Sequence, residues 1–124
     1  MEFKIDTKVT YIVITPVSNH LDANLAAALR QKCDALTENG SNNYIIDLHN
    51  CLDADSKSFH LLTEFHEDCY SNNTSLVFTN IQDEVMRALK KDETDAAINI
   101  TPTMQEAIDI VSMEILERDL FDDE

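Results

Sequence analysis

The chain has 124 residues, 44% of them hydrophobic, and nine Lys and Arg stand against 24 Asp and Glu for a net charge of −15. That length suits one domain, which can bury about two-thirds of its unfolded surface without a metal or disulfide staple. The acidic balance excludes the basic face that nucleic-acid binding needs, disfavours anionic membrane surfaces, and favours a protein partner with a basic patch.

In chain order, Phe3 to Val9 and Thr10 to Val17 read as two strands, with β-branched and aromatic residues concentrated in Tyr11–Thr15 and Pro16 closing the second. Asp22 or Asn24 can cap the next helix, where Leu25, Ala28, Leu29, Lys32, Cys33 and Leu36 recur at helical spacing. Gly40, the only glycine, suits its C-terminal cap. Tyr44–Leu48 is a short strand apolar enough to be buried on both faces. A helix is expected from Ser56 to Tyr70, its inner stripe Phe59, Leu62, Phe65, His66 and Cys69.

After a turn at Ser71–Asn73, Ser75–Thr79 reads as a strand and Asp83–Lys91 as a short helix through Val85, Met86 and Leu89. Ala96–Ile100 is a weak strand. Thr103 and Glu106 have capping-box spacing at the start of a last helix, whose face is expected to carry Ile108, Val111, Met113, Ile115 and Leu116. Residues 118–124 read as an acidic, frayed tail behind a domain spanning 1–117. The alternation implies an α/β fold, a mixed β-sheet with about four helices packed on it.

No apolar run approaches the roughly 18 residues of a membrane span, and Met1–Asp6 lacks the basic start and apolar middle of a signal peptide. Cys33, Cys51 and Cys69 are an odd set without close spacing, and read as small reduced residues in or near the core. The expected compartment is the cytoplasm, with no membrane insertion and no nucleic-acid partner.

The most informative stretch is Asp47 to Phe59: a buried strand ending at Leu48, an acidic loop, and Ser56 at the mouth of a helix. A hydroxyl there lies where helical N–H groups point outward and tolerate a phosphate. By residue type alone, Ser56 reads first as a helix cap, as do Asp22 and Asp55. Asp47, at a strand end, reads as a structural hydrogen-bond acceptor. Catalytic readings find little support. One glycine leaves no nucleophile elbow, phosphate loop or dinucleotide fingerprint. His20, His49, His60 and His66 match no zinc or iron spacing, although His60 and Glu64 share a helical face. The expectation is a non-enzyme without metal or cofactor.

The order of elements, together with local motifs, resembles the STAS domain, and within it the stand-alone anti-sigma factor antagonists. The matching residues are Asn19-His20-Leu21-Asp22, then Asp47-Leu48 and Asp55-Ser56-Lys57-Ser58-Phe59 at the family's spacing, then Thr101 to Ile108 opening the last helix. The resemblance implies that Ser56 is phosphorylated by an anti-sigma factor that is also a serine kinase, and that a PP2C-like phosphatase resets the switch. It also implies a docking surface of Asp22, Asp55, Ser56, Lys57, Ser58 and Phe59. Four positions depart from the family pattern. Asn19 and Ser58 stand where glycines are usual, Lys57 where a second hydroxyl is common, and Asp53 at a usually apolar site. Asn19 is expected to keep a left-handed backbone accessible, and Ser58 to crowd an approaching partner. The rival reading is a constitutive STAS adaptor in a transporter or signalling complex that never uses Ser56.

Overall fold

The computed structural model describes residues 1–122. Strands β1 (Phe3–Thr7) and β2 (Ile12–Pro16) form an antiparallel hairpin with Phe3 opposite Pro16 and Thr7 opposite Ile12. The chain then makes a two-residue strand β3 (His20–Leu21), helix α1 (Ala23–Glu38) and strand β4 (Asn43–Asp47). Next come a second two-residue strand, β5 (Asp53–Ala54), a single 3₁₀ turn (Ser56–Ser58) and helix α2 (Phe59–Ser71). Strand β6 (Ser75–Thr79), helix α3 (Asp83–Lys91), a 3₁₀ turn (Thr94–Ala96), strand β7 (Ile100–Thr101) and helix α4 (Met104–Asp122) complete it.

The main sheet runs in the order β1-β2-β4-β6-β7, with β2, β4, β6 and β7 mutually parallel. β3 and β5 pair with each other, apart from that sheet. Every residue of β2, β4 and β6 is buried, so period-2 alternation sorts side chains between two apolar faces rather than between core and water. Ile12, Ile14, Tyr44, Ile46, Leu76 and Phe78 turn toward Leu25, Leu29, Leu62, Phe65, Val85 and Leu89 of α1, α2 and α3. Val13, Ile45 and Val77 turn the other way, onto Ala107 and Val111 of α4.

Local signals account for the element ends. The Asp22 carboxylate accepts the Leu25 N–H at 2.8 Å and starts α1. Gly40, at φ +102°, lets the chain leave α1 in the left-handed region. Thr103 Oγ1 accepts the Glu106 N–H at 3.2 Å at the start of α4. Asn73 sits at φ 59° in the turn after α2, a conformation asparagine tolerates.

The C-terminus departs from expectation. α4 continues through Asp122 instead of giving way to a tail at 118, and the Arg118 guanidinium donates to Ser75 Oγ (2.9 Å) and Asn43 Oδ1 (2.6 Å) at the amino ends of β6 and β4. Those bonds fix a turn that composition alone marks as frayed. Asp123 and Glu124 lie outside the described residues. Only part of the expected α4 stripe faces the sheet. Val111 is buried and Ile108 and Ile115 are half-buried, but Met113 and Leu116 are exposed.

Candidate functional site

The site lies beyond the carboxyl ends of β2 and β4, where side chains in loops are held by a rigid parallel sheet. Two loops meet there. The first, 17–22, leaves β2 and enters α1; the second, 48–58, leaves β4 and enters α2. The pairing of β3 with β5 fastens them, with His20 opposite Asp53 and Leu21 opposite Ala54. The Leu52 N–H donates to the Asn19 carbonyl and the Asp55 N–H to the Leu21 carbonyl, each at 2.8 Å. Leu21 and Cys51 are fully buried beneath the loops, and the Asn50 side-chain amide donates to the Pro16 carbonyl at 3.1 Å. The site is therefore a preformed surface rather than a loose segment.

That zipper brings Asp22 and Asp55 to neighbouring positions, though each carboxylate also has a local duty. Asp22 caps α1. Asp55 Oδ1 accepts the Lys57 N–H at 3.0 Å and caps the 3₁₀ turn that precedes α2. Ser56 is the first residue of that turn and is exposed, as is Lys57. Ser56 is therefore not the cap. Asp55 holds that place, leaving the Ser56 hydroxyl at the surface.

Two members of the expected docking surface are corrected. Ser58 is 0% and Phe59 1% exposed. The Ser58 hydroxyl donates to the Asp55 carbonyl at 2.8 Å, inside the turn, and Phe59 begins the inner stripe of α2. Both support the loop from beneath and present nothing to a partner. Ser58, at φ −76°, has an ordinary right-handed backbone, so a serine at the family's glycine position adds no strain and no surface bulk. Asn19 is likewise absent from the left-handed positions, which among the described residues are Asn73, Asn80 and Glu93 besides Gly40.

Asp47 behaves as expected of a structural acceptor: its Oδ1 takes the His49 N–H at 3.0 Å and faces His49 Nδ1 at 2.9 Å. Three features were missed. His20 pairs through Nδ1 with the Asp53 carboxylate across the β3–β5 ladder. That hydrogen bond, with the fields of Asp53, Asp22 and Asp55, raises the His20 pKa above its ordinary 6.5. Val17 and Leu52, the apolar members of the surface, stand exposed on the two fastened loops. Sequence alone does not separate these two from Leu21, Leu48 and Cys51, the buried apolar residues of the same loops; only the folded loops do.

The surface holds no reacting constellation. Cys51 is the nearest thiol; burial pushes its pKa up to about 11 and keeps it protonated. Burial likewise raises Cys33 and Cys69, and all three cysteines are free. Among the described residues no group of three His, Cys, Asp or Glu is placed to hold a metal ion, and no helix is long and apolar enough to cross a membrane.

Residues 4–107 match the family model of the STAS domain. No curated protein sequence matches the chain. Among solved structures, an anti-sigma factor antagonist from Mycobacterium paratuberculosis is 19% identical, with a TM-score of 0.73 over 90% of this chain and 93% of that one. The anti-sigma factor antagonist SpoIIAA in its unphosphorylated form is 18% identical, with a TM-score of 0.67 over 90% and 96%. A sulfate transporter family protein from Wolinella succinogenes is 17% identical, with a TM-score of 0.72 over 89% and 91%. At these identities the likeness is one of fold.

Proposed function

The chain belongs to the STAS domain family, and from that premise we propose that it is a non-enzymatic binding module, an anti-sigma factor antagonist switched by phosphorylation of Ser56. One observation carries the reading: of the two hydroxyls in Asp55-Ser56-Lys57-Ser58, Ser56 is exposed at the head of the turn and Ser58 is sealed beneath it. Only one can enter another protein's active site. The docking surface is Asp22, Asp55, Ser56 and Lys57, widened by Val17 and Leu52.

The partner is a kinase that supplies its own nucleotide. The γ-phosphoryl group of its ATP passes to Ser56 Oγ: the bond to ADP breaks, the P–Oγ bond forms, and the hydroxyl proton goes to a base on the kinase. A PP2C-like phosphatase reverses the modification by hydrolysis. The new group carries about −1.5 to −2 charges. It lands beside Asp55, whose carboxylate already takes the Lys57 N–H of the turn. The helix end therefore stabilises it less than an uncapped terminus would, and a partner packed on this loop meets a hydrated, repelling anion. What supports the reading is the likeness of fold to two anti-sigma factor antagonists, one of them described in an unphosphorylated form.

Calorimetric titration of wild type, Ser56→Ala and Ser56→Asp against the cognate anti-sigma kinase tests it, with mass spectrometry after incubation with ATP. Ser56→Asp should bind at least tenfold more weakly, about 1.4 kcal/mol, while Ser56→Ala binds as wild type and takes no phosphate. Phosphate on another residue, or equal affinity of wild type and Ser56→Asp, would replace this reading with the constitutive adaptor.

A further inference from the structure

α4 is apolar on two sides. Its inner side, Ala107, Val111 and Ile115, covers the sheet. Opposite these, Met113, Leu116 and Leu120 recur at helical spacing and are 62%, 60% and 63% exposed, with Phe121 on their flank at 73%. A helix ordinarily turns its one apolar stripe to the core and its polar face to water. Here the outer stripe has no cover, and isolated exposed apolar residues are common whereas a contiguous patch marks an interaction site.

Charge decides what covers it. Glu106, Asp109, Glu117 and Asp119 surround the stripe and are exposed. The helix's one basic side chain, Arg118, turns inward to Ser75 and Asn43. A second copy of this chain would bring one acidic rim against another, with a net charge of −15 on each. A partner with lysine or arginine around an apolar ridge meets complementary charge at every edge.

We propose that the outer face of α4 is a second docking surface, taking an amphipathic helix with an apolar ridge flanked by Lys and Arg. Met113, Leu116, Leu120 and Phe121 receive the ridge; the acidic rim orients it. This surface is separate from the phosphorylation loop. α4 covers the sheet face opposite α1 and α2, and Arg118 reaches the amino ends of β4 and β6 whereas Ser56 lies beyond their carboxyl ends. One molecule can therefore hold two partners at once.

The probe is a fluorescent 18-residue peptide of Leu and Lys patterned as an amphipathic helix, with a same-composition scramble that has no continuous apolar face, both followed by anisotropy. The patterned peptide should bind at least tenfold more tightly than the scramble and shift amide resonances at 113–121. Leu116→Glu with Leu120→Glu, both exposed and so compatible with the fold, should weaken it at least tenfold despite adding two negative charges. Met113→Glu should act in the same direction. Simple charge attraction predicts the reverse, so binding that is unchanged or stronger in these variants overturns the proposal. Equal binding of the scramble, or resonance shifts confined to residues 17–22 and 48–58, overturns it too. A concentration-dependent dimer dissolved by the same substitutions would assign the face to a second copy instead.

Discussion

Two histidines illustrate how residue environment sets opposite responses to pH. His20 is held by Asp53, so its folded pKa lies above 6.5. The pairing stabilises the fastened loops fully below pH 6.5 and is lost as pH rises through the raised value. His66 is half-buried; its Nε2 accepts the Asn99 N–H at 3.1 Å, and its ring lies 4.6 Å from that of Tyr70. Burial lowers its pKa below 6.5, against the opposing fields of Glu114 and Glu67. The unfolded chain then binds a proton that the folded chain refuses, so this contribution to stability is full above pH 6.5 and falls as pH drops toward the lowered value. Nuclear magnetic resonance titration of the imidazole protons should place the His20 midpoint above 6.5 and the His66 midpoint below it. Asp53→Asn should bring His20 down while leaving His66 unmoved. A single shared midpoint, or a His20 indifferent to Asp53→Asn, would refute this account. Neither environment was legible in the sequence: His66 was placed on the inner stripe of α2, but its acceptor role depends on Asn99, 33 residues away.

Among elements, legibility followed the strength of the local signal. β6 and α3 fall where periodicity and turn residues put them, because each has a clean apolar pattern and clear ends. Of the expected strand at Ala96–Ile100, Ala96 ends a 3₁₀ turn and only Ile100 is in β7, since edge pairing with Phe78 and Thr79, not local propensity, decides it. α2 was expected from Ser56 and starts at Phe59, because the Asp55 cap and the inward Ser58 hydroxyl tighten the first turn to 3₁₀. Phe59, expected both on the inner stripe of this helix and on the docking surface, lies in the core. Phe59→Ala should therefore cost about 3–5 kcal/mol of stability, a large share of the roughly 5–15 kcal/mol of a typical domain. Urea denaturation measures it; a variant of unchanged midpoint that had lost partner binding would return Phe59 to the surface. Asp22→Ala removes the α1 cap and should cost about 1 kcal/mol, so any binding loss in that variant must be compared at matched folded fraction.

At the scale of the whole molecule, the net charge of −15 acts on folding and on binding with opposite sign. Within one chain, like charges repel, so added salt screens a destabilising term and should raise the unfolding midpoint. Between this chain and a basic partner, the same screening removes attraction. Most of the acidic groups are exposed, and Asp22, Asp53 and Asp55 lie together on the fastened loops. In the proposed complex charge therefore acts at encounter, and the exposed apolar Val17 and Leu52 act after contact is made. The on-rate for the proposed anti-sigma kinase should fall steeply as ionic strength rises from about 0.01 M to 0.15 M, where the screening length shrinks from about 30 Å to 8 Å, while the off-rate changes little. Stopped-flow association at several salt concentrations, paired with thermal melts in the same buffers, separates the two effects. A rising melting midpoint with a falling on-rate is the expected pair. An on-rate indifferent to salt would mean that the acidic face takes no part in encounter, and the partner's complementary surface would then have to be apolar rather than basic.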